Sequence, residues 1–222
     1  VKPDKTIAAD YENYGKILMN LGQDSLAVEN FYVAIEKDTA NIEMIEEVAE
    51  QLRKSRKNNE AAKLYDLLLA KKENPTTNDY YRAGTVYMGA KEFVKADSAF
   101  QKVIDAQPDH YLGYSMLALS NFHQGDGDGR AKPHYEKLIE ILEPDSTLST
   151  EPNKKSALLT AYQYMASYYT QQEDLKTAGE YWEKVEGIDP GNENAKRFRE
   201  YLVDLQKYKE AQQRAQKQKA GK

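Results

Sequence analysis

The stretch Tyr80–Asp109, YYRAGTVYMGAKEFVKADSAFQKVIDAQPD, decides the fold. Tyr80, Ala83, Gly84 and Tyr87 stand at i, i+3, i+4 and i+7, the spacing that gathers side chains on one face of an α-helix. After a polar break the pattern resumes with Ala96, Phe100 and Val103, and Pro108 closes the segment because proline cannot continue a helix. The stretch therefore reads as helix, turn, helix. Working outward, the second-helix pattern recurs at Ala27, Ala61, Ala96, Ala131 and Ala178. Each of these alanines is followed four residues later by a large aromatic (Phe31, Tyr65, Phe100, Tyr135, Trp182) and seven later by a smaller apolar residue (Ala34, Leu68, Val103, Leu138, Val185). The alanines are 34, 35, 35 and 47 residues apart, and a fixed period of about 20 to 50 residues marks a repeat array rather than one closed core.

The first-helix pattern also recurs. Gly15 and Leu18, Ala49 and Leu52, and Ala166 and Tyr169 precede their alanines as Gly84 and Tyr87 precede Ala96. Glycine costs a helix about 1 kcal/mol relative to alanine, so Gly15 and Gly84 imply a close helix approach. This small-and-large alternation resembles the tetratricopeptide repeat family, of a bacterial kind, over about four-fifths of the chain, and Tyr80–Pro108 is the best copy. The resemblance implies an all-α, right-handed superhelical solenoid of about five helix-turn-helix repeats with a C-terminal capping helix. The repeats are set at 8–41, 42–76, 77–110, 111–145 and 159–192. Two departures stand out: the second repeat lacks a large aromatic in its first helix, and the fourth carries Gly125-Asp126-Gly127-Asp128-Gly129 at its internal turn. A 146–158 insertion accounts for the long last interval, with Pro152 opening a helix extended backwards. Residues 193–211 read as a cap, with Ala195, Phe198, Leu202 and Leu205 on one face; 212–222 read as a polar, frayed tail. Residues 1–7 read as the end of an upstream repeat.

Composition narrows the function. Lys+Arg 31 against Asp+Glu 36 gives a net charge of −5, which argues against nucleic acid as the main ligand, since phosphate binding needs a basic face. Cys 0 removes disulfides, thiolate metal sites and cysteine nucleophiles, and leaves the compartment open. No apolar stretch approaches the roughly 18 residues that span a bilayer, so no direct membrane insertion is expected. The three histidines, His110, His123 and His134, lack the i, i+4 spacing of a helical metal pair. His123 with Asp126 and Asp128 lacks the remaining oxygens of a calcium loop. No catalytic residue, metal or cofactor is expected. The triplets Asp24-Ser25-Leu26, Asp38-Thr39-Ala40 and Asp97-Ser98-Ala99 resemble an O-glycosylation sequon of exported bacterial proteins, and with the first residue not Met they tilt the expectation toward the periplasm over the cytoplasm.

The resemblance implies an inner, concave surface lined by the first helices. On it the sequence places Lys16 and Arg53 in the first two repeats, then Tyr81, Thr85 and Met88. Leu112, Ser115, Leu119 and Phe122 follow, and then Gln163 and Ser167. The surface thus begins charged, turns apolar and ends neutral and polar. Tyr81, Met88, Leu112, Leu119 and Phe122 together suit a peptide anchor, while the family also carries aromatics at the Tyr81 and Phe122 positions regardless of ligand, and Leu119 suits packing between repeats. Glu43, Glu46, Glu47 and Glu50 followed by Arg53, Lys54, Arg56 and Lys57 suit a solvated helix of i, i+4 ion pairs. The clamp of Lys, Asn and Arg side chains that holds chaperone carboxylates in some members is matched here only at its arginine, by Arg82, so that partner class is not expected. The expected function is a non-catalytic scaffold for a protein or peptide ligand. The alternative is a glycan-recognition accessory of a bacterial envelope, suggested by Tyr 17 in 222 residues.

Overall fold

A computed structural model describes residues 7–38, 41–125 and 127–220. Within them lie eleven helices and no strand. The residues up to Gly125 form one compact unit and the residues from 126 onward a second. The first unit holds α1 (Ala8–Asn20), α2 (Asp24–Lys37), α3 (Ile42–Lys54), α4 (Asn58–Lys71), α5 (Thr77–Gly89), α6 (Phe93–Ala106) and α7 (Tyr111–Gly125). The second holds α8 (Lys132–Leu142), α9 (Pro152–Gln171), α10 (Leu175–Ile188) and α11 (Glu193–Ala220). The chain is an all-α helical repeat structure.

Helices pair because one face of each is apolar and one residue of that face is small. In the first unit α1 packs on α2, α3 on α4 and α5 on α6, and neighbouring pairs meet where α4 touches α5 and α6 touches α7. A Cβ built on Gly15 would stand 2.7 Å from the Phe31 ring, and one on Gly84 2.6 Å from the Phe100 ring. Both glycines are therefore required by helix approach, as their cost to helix propensity implied. All five marker alanines are fully buried, and the aromatics that follow them, from Phe31 to Trp182, are buried as well.

The turns repeat as faithfully as the cores. Leu52 accepts from the Lys57 N–H at 2.9 Å and Tyr87 from the Glu92 N–H at 2.8 Å, each bracketing a residue in the left-handed region, Arg56 (φ 58°) and Lys91 (φ 63°). Gly22 (φ 72°) occupies the same place after α1, where Leu18 accepts from the Gln23 N–H at 2.9 Å. In the second unit Glu173 (φ 60°) closes α9, with Tyr169 accepting from the Asp174 N–H at 3.0 Å. This is the Schellman closure, which satisfies the orphan carbonyls at a helix C-terminus. The fourth turn departs from it: Gly125 and Gly129 both have positive φ, and Asp126 between them lies outside the described residues. Ala131, whose counterparts lie inside the first turn of their helices, here caps the short α8.

Within the second unit α9 packs on both α8 and α10, and α10 on α11. Glu151 is the N-cap of α9 and Pro152 its first residue, as the sequence led us to expect. Ahead of it, Asp145 accepts from the Thr147 hydroxyl at 2.7 Å and from Lys154 Nζ at 2.9 Å; these bonds, Thr147 first, pull its carboxyl down to about 2. Ala195 and Phe198 seat α11 on the preceding helix, the Phe198 ring 6.1 Å from that of Trp182. The helix then runs on through Gln212 to Ala220, where fraying was expected. Its Lys, Gln, Arg and Ala residues are good helix formers, and Gln212 donates to the Tyr208 hydroxyl at 2.7 Å. Of residues 1–7, read above as the end of an upstream repeat, 1–6 lie outside the described residues, as do 221 and 222, and Ile7 is the N-cap of α1.

A non-glycine residue in the left-handed region carries strain of order 1 kcal/mol. Lys91→Gly is therefore expected to stabilise the chain by about 0.5–1 kcal/mol, less whatever the freer unfolded chain takes back. Urea unfolding at neutral pH checks this; equal or lower stability would show that the turn is not strained.

Candidate functional site

The exposed face of the first helices in the first unit carries a network of paired charges in two groups, one around Lys16 and one around Glu46 and Glu50. Lys16 on α1 pairs with Glu12 at 2.7 Å and reaches α3 through Glu47 at 2.6 Å. Its burial works to lower its pKa, but the bonds to Glu12 and Glu47 outweigh this and hold it above the ordinary lysine value. Arg53 forks onto Glu50, Nε and Nη2 each donating at 2.7 Å. That bidentate bond is the main reason the Glu50 carboxyl titrates below its usual range. From α5, Arg82 approaches Glu46 and Glu50 at 4.0 Å each, looser than any hydrogen bond. Beneath them lies the Tyr65 hydroxyl, buried without a hydrogen-bond partner and pushed up to about 12 chiefly by burial.

One branch of this network anchors the backbone. Thr76 and Asp79 form a capping box at the start of α5: the Asp79 N–H donates to Thr76 Oγ1 at 3.2 Å and the Thr76 N–H to Asp79 Oδ2 at 2.8 Å. Lys72 Nζ donates to Asp79 Oδ1 at 2.8 Å and pairs with Glu46 at 2.9 Å. Burial would raise the Asp79 carboxyl, yet Lys72 and Thr76 together hold it below the ordinary value.

Next to the charges the face turns apolar. Tyr81 is half-buried, its ring tilted 6.4 Å from Phe100, and Met88 likewise packs on the core. Thr85 spends its hydroxyl on the Arg82 carbonyl at 2.7 Å. On α7, Leu112, Ser115 and Leu119 are half-buried and Phe122 is half exposed. The Phe122 ring stands edge-on to His123 at 5.8 Å. Tyr81 and Met88 thus have only part of their surface to offer, and Phe122 is the most available of the expected anchors.

In the second unit Gln163 and Ser167 are half-buried on α9. Sequence reading missed what lies beside them, a run of six tyrosines. Tyr135 meets Tyr164 at 4.4 Å, Tyr164 stacks with Tyr168 at 6.1 Å, and Tyr168 meets Tyr169 edge-on at 5.4 Å. Tyr169 stacks on Tyr181 at 5.9 Å, and Tyr181 reaches Tyr162 at 6.2 Å. Lys132 lies over Tyr168 and Tyr169, and Lys184 over Tyr162 and Tyr181. Glu143 joins the last pair, accepting from the Tyr162 hydroxyl at 2.8 Å and pairing with Lys184 at 2.7 Å. The Tyr164 and Tyr168 spacing of i, i+4 was the available signal.

Among the described residues no three His, Asp or Glu side chains gather as a metal site. No helix there is long and apolar enough to cross a membrane. His110, just ahead of α7, stacks on Tyr111 at 5.1 Å and its Nδ1 accepts from the Leu112 N–H at 3.3 Å, while His123 lies near the far end of that helix. Of the three sequon-like triplets, Ser98 sits mid-helix with its hydroxyl donated to the Val94 carbonyl at 2.9 Å, and Thr39 and Ala40 lie outside the described residues.

This geometry can be set beside known proteins. A family model described as tetratricopeptide repeat matches residues 80–110. The crystal structure of the C-terminal part of a TPR repeat-containing protein from Cytophaga hutchinsonii is 34% identical, covering 89% of this chain and 75% of that one at a TM-score of 0.67. The chain belongs to the tetratricopeptide repeat family. Two more distant structures share the repeat fold: YrrB, described as a TPR protein with an unusual peptide-binding site (17% identity, 89% and 94% coverage, TM-score 0.59), and MamA (20%, 82% and 92%, 0.59). Among curated proteins nothing matches. In this repeat protein, then, the paired charges and half-exposed rings sit on the helices of helical hairpins.

Asp79→Ala removes the reciprocal cap of α5 and leaves Lys72 with Glu46 alone, at an expected cost of about 1–3 kcal/mol near neutral pH. Because the folded-state pKa of Asp79 is depressed, its contribution is fully present above the unfolded value, near pH 4, and is lost as pH falls through the folded value. The gap in urea stability between wild type and variant should therefore narrow steadily as pH falls below about 4. A difference independent of pH would mean that packing, not charge, is what Asp79 supplies.

Proposed function

We propose that this tetratricopeptide repeat protein is a non-catalytic interaction scaffold that holds an extended peptide or partner helix on the concave face of α1, α3, α5 and α7. The observation that supports this reading is the adjacency on one unit of paired charges, those of Lys16 and those of Arg53 and Arg82, and a partly exposed apolar strip, Tyr81 to Phe122. Apolar anchors supply most of the binding energy of such a face, and charges at its edge supply selectivity. Arg82 is the side chain best placed to serve a ligand carboxylate or backbone carbonyl, since its two ion pairs are long. The peptide-binding description of YrrB supports a peptide as ligand class. Gln163 and Ser167 are proposed as a second, polar contact within the other unit.

The glycan reading finds less support. The tyrosine run of the second unit is spent on itself, on Lys132 and Lys184 and on Glu143, and its members are half-buried or buried, whereas sugar platforms need exposed rings.

Peptides selected from a random library against the wild-type chain provide the test. For a selected peptide, the double variant Tyr81→Ala, Phe122→Ala should weaken binding by about 1–4 kcal/mol, roughly fivefold to nearly a thousandfold in Kd, with the helical circular dichroism unchanged. Arg82→Ala should flatten the salt dependence of the same affinity. Unaltered peptide affinity in the double variant would place the ligand elsewhere, and loss of helicity would make the two rings core residues.

A further inference from the structure

The marker aromatic of the second repeat, Tyr65, carries a hydroxyl that the other marker rings of the first unit lack. Phe31 and Phe100 stand at the equivalent positions, and all three rings are buried. In the second unit Tyr135 meets Tyr164 at 4.4 Å, and the Trp182 indole N–H donates to Thr170 Oγ1 at 3.4 Å. The Tyr65 hydroxyl is buried with no hydrogen-bond partner among the described residues. Leaving a buried donor unsatisfied costs the free protein its desolvation, and native structures keep few such groups without a reason.

The groups around the hydroxyl point to that reason. The charges that bear on it are those of Glu50, Arg82, Arg53 and Glu46, all on α3 and α5, two helices of the proposed peptide face. Glu50 and Arg53 are joined by a fork of two 2.7 Å bonds, and Glu46 is held by Lys72 at 2.9 Å. Arg82 is held differently. It stands 4.0 Å from both Glu46 and Glu50, and its side chain is 35% exposed. Of the side chains over Tyr65 it is therefore the one that can turn outward without breaking a short bond.

What remains when it does so is a place where a phenolic O–H and guanidinium N–H groups converge. A guanidinium can only donate, and the phenol needs an acceptor for its proton, so the ligand group that serves both is an oxygen with two lone pairs. A carboxylate has the lone pairs, but it would face the Glu46 and Glu50 carboxylates, and like charges set together across an interface are costly. An amide carbonyl has the lone pairs without the charge. We propose that the peptide face contains an amide-carbonyl subsite, in which Arg82 turns outward and one ligand carbonyl oxygen accepts from both the Tyr65 hydroxyl and the Arg82 guanidinium. This rests on the peptide-scaffold reading and adds to it a residue that determines specificity. Tyr65 comes from a second helix, α4, so its ring belongs to the core while its hydroxyl reads the ligand.

Tyr65→Phe tests this, because it removes the hydroxyl and keeps the ring, and Phe31 and Phe100 show that the fold accepts phenylalanine at this position. The free variant should unfold at the same urea concentration as wild type or a higher one, since the unsatisfied donor is gone. Its affinity for peptides selected against the wild-type chain should fall about two- to tenfold, the worth of one hydrogen bond. A purely structural hydroxyl would move the first quantity and not the second. Replacing each Asn and Gln of a selected peptide by Ala separates the two sources of the carbonyl. If one replacement makes wild type and Tyr65→Phe bind alike, the oxygen is that side chain's; if none does, it belongs to the peptide main chain. Equal affinity of wild type and Tyr65→Phe for the original peptide overturns the subsite, and so does a variant that is less stable with affinity unchanged. In either case the scaffold reading stands as long as the Tyr81→Ala, Phe122→Ala pair weakens binding. If that pair has no effect, or if no peptide is selected, the scaffold reading fails and the subsite fails with it.

Discussion

The close approach of paired helices is the constraint on which the rest depends. Two helices can share one apolar seam at short range only if one of them presents a small residue where the other presents a ring. Gly15 under Phe31 and Gly84 under Phe100 show the limit, where even one added carbon would overlap the ring. Ala27, Ala61, Ala96, Ala131 and Ala178 supply the matching small residue on the second helices, each fully buried. With the seam set, the turn follows, because the Schellman bond that ends the first helix also sets the direction in which the second departs. Strain at Arg56, Lys91 and Glu173 is tolerated because packing on both sides over-determines those turns.

The fourth turn shows what happens when that closure is replaced. Gly125 and Gly129 both take positive φ, and α8 begins only at Lys132, a full turn late relative to its marker alanine. Gly129 is further fixed by Tyr168, whose ring would meet an added Cβ at 2.8 Å. The chain divides into its two compact units at this place. A glycine-rich segment loses more conformational entropy on ordering than any other, so a division of contacts there agrees with the chemistry of the segment.

Periodic features were legible in the sequence because they obey a local rule repeated five times. The helix pairs, the buried alanines and aromatics, the glycine contacts and the start of α9 at Pro152 could all be read from spacing. What escaped were features that depend on side chains from distant segments. The tyrosine run of the second unit joins α8, α9 and α10, and only the Tyr164 and Tyr168 pair left a mark in local spacing. The capping box at Thr76 and Asp79 is a four-residue pattern, but its link through Lys72 to Glu46 is not. The length of α11 escaped for a different reason: without an apolar stripe its last turns rest on intrinsic propensity, which a pattern of burial cannot reveal.

The same charge network bears on how the proposed face would discriminate among ligands. Its carboxylates already have cations: Glu47 holds Lys16, Glu50 holds Arg53, and Glu46 holds Lys72. A ligand charge arriving there exchanges one partner for another instead of gaining a new one, and the desolvation it suffers offsets most of the Coulombic gain. Charge contributes little net affinity under that exchange, but a ligand with the wrong sign leaves a partly buried carboxylate facing a like charge. Binding energy must then come from the apolar strip, chiefly Phe122 with the exposed parts of Tyr81 and Met88. Arg82 is the exception, because its 4.0 Å contacts leave donors that a ligand oxygen can satisfy without breaking a short bond. A face built this way would select first by register, with an apolar side chain beside Phe122 and an acceptor within reach of Arg82, and only then by charge.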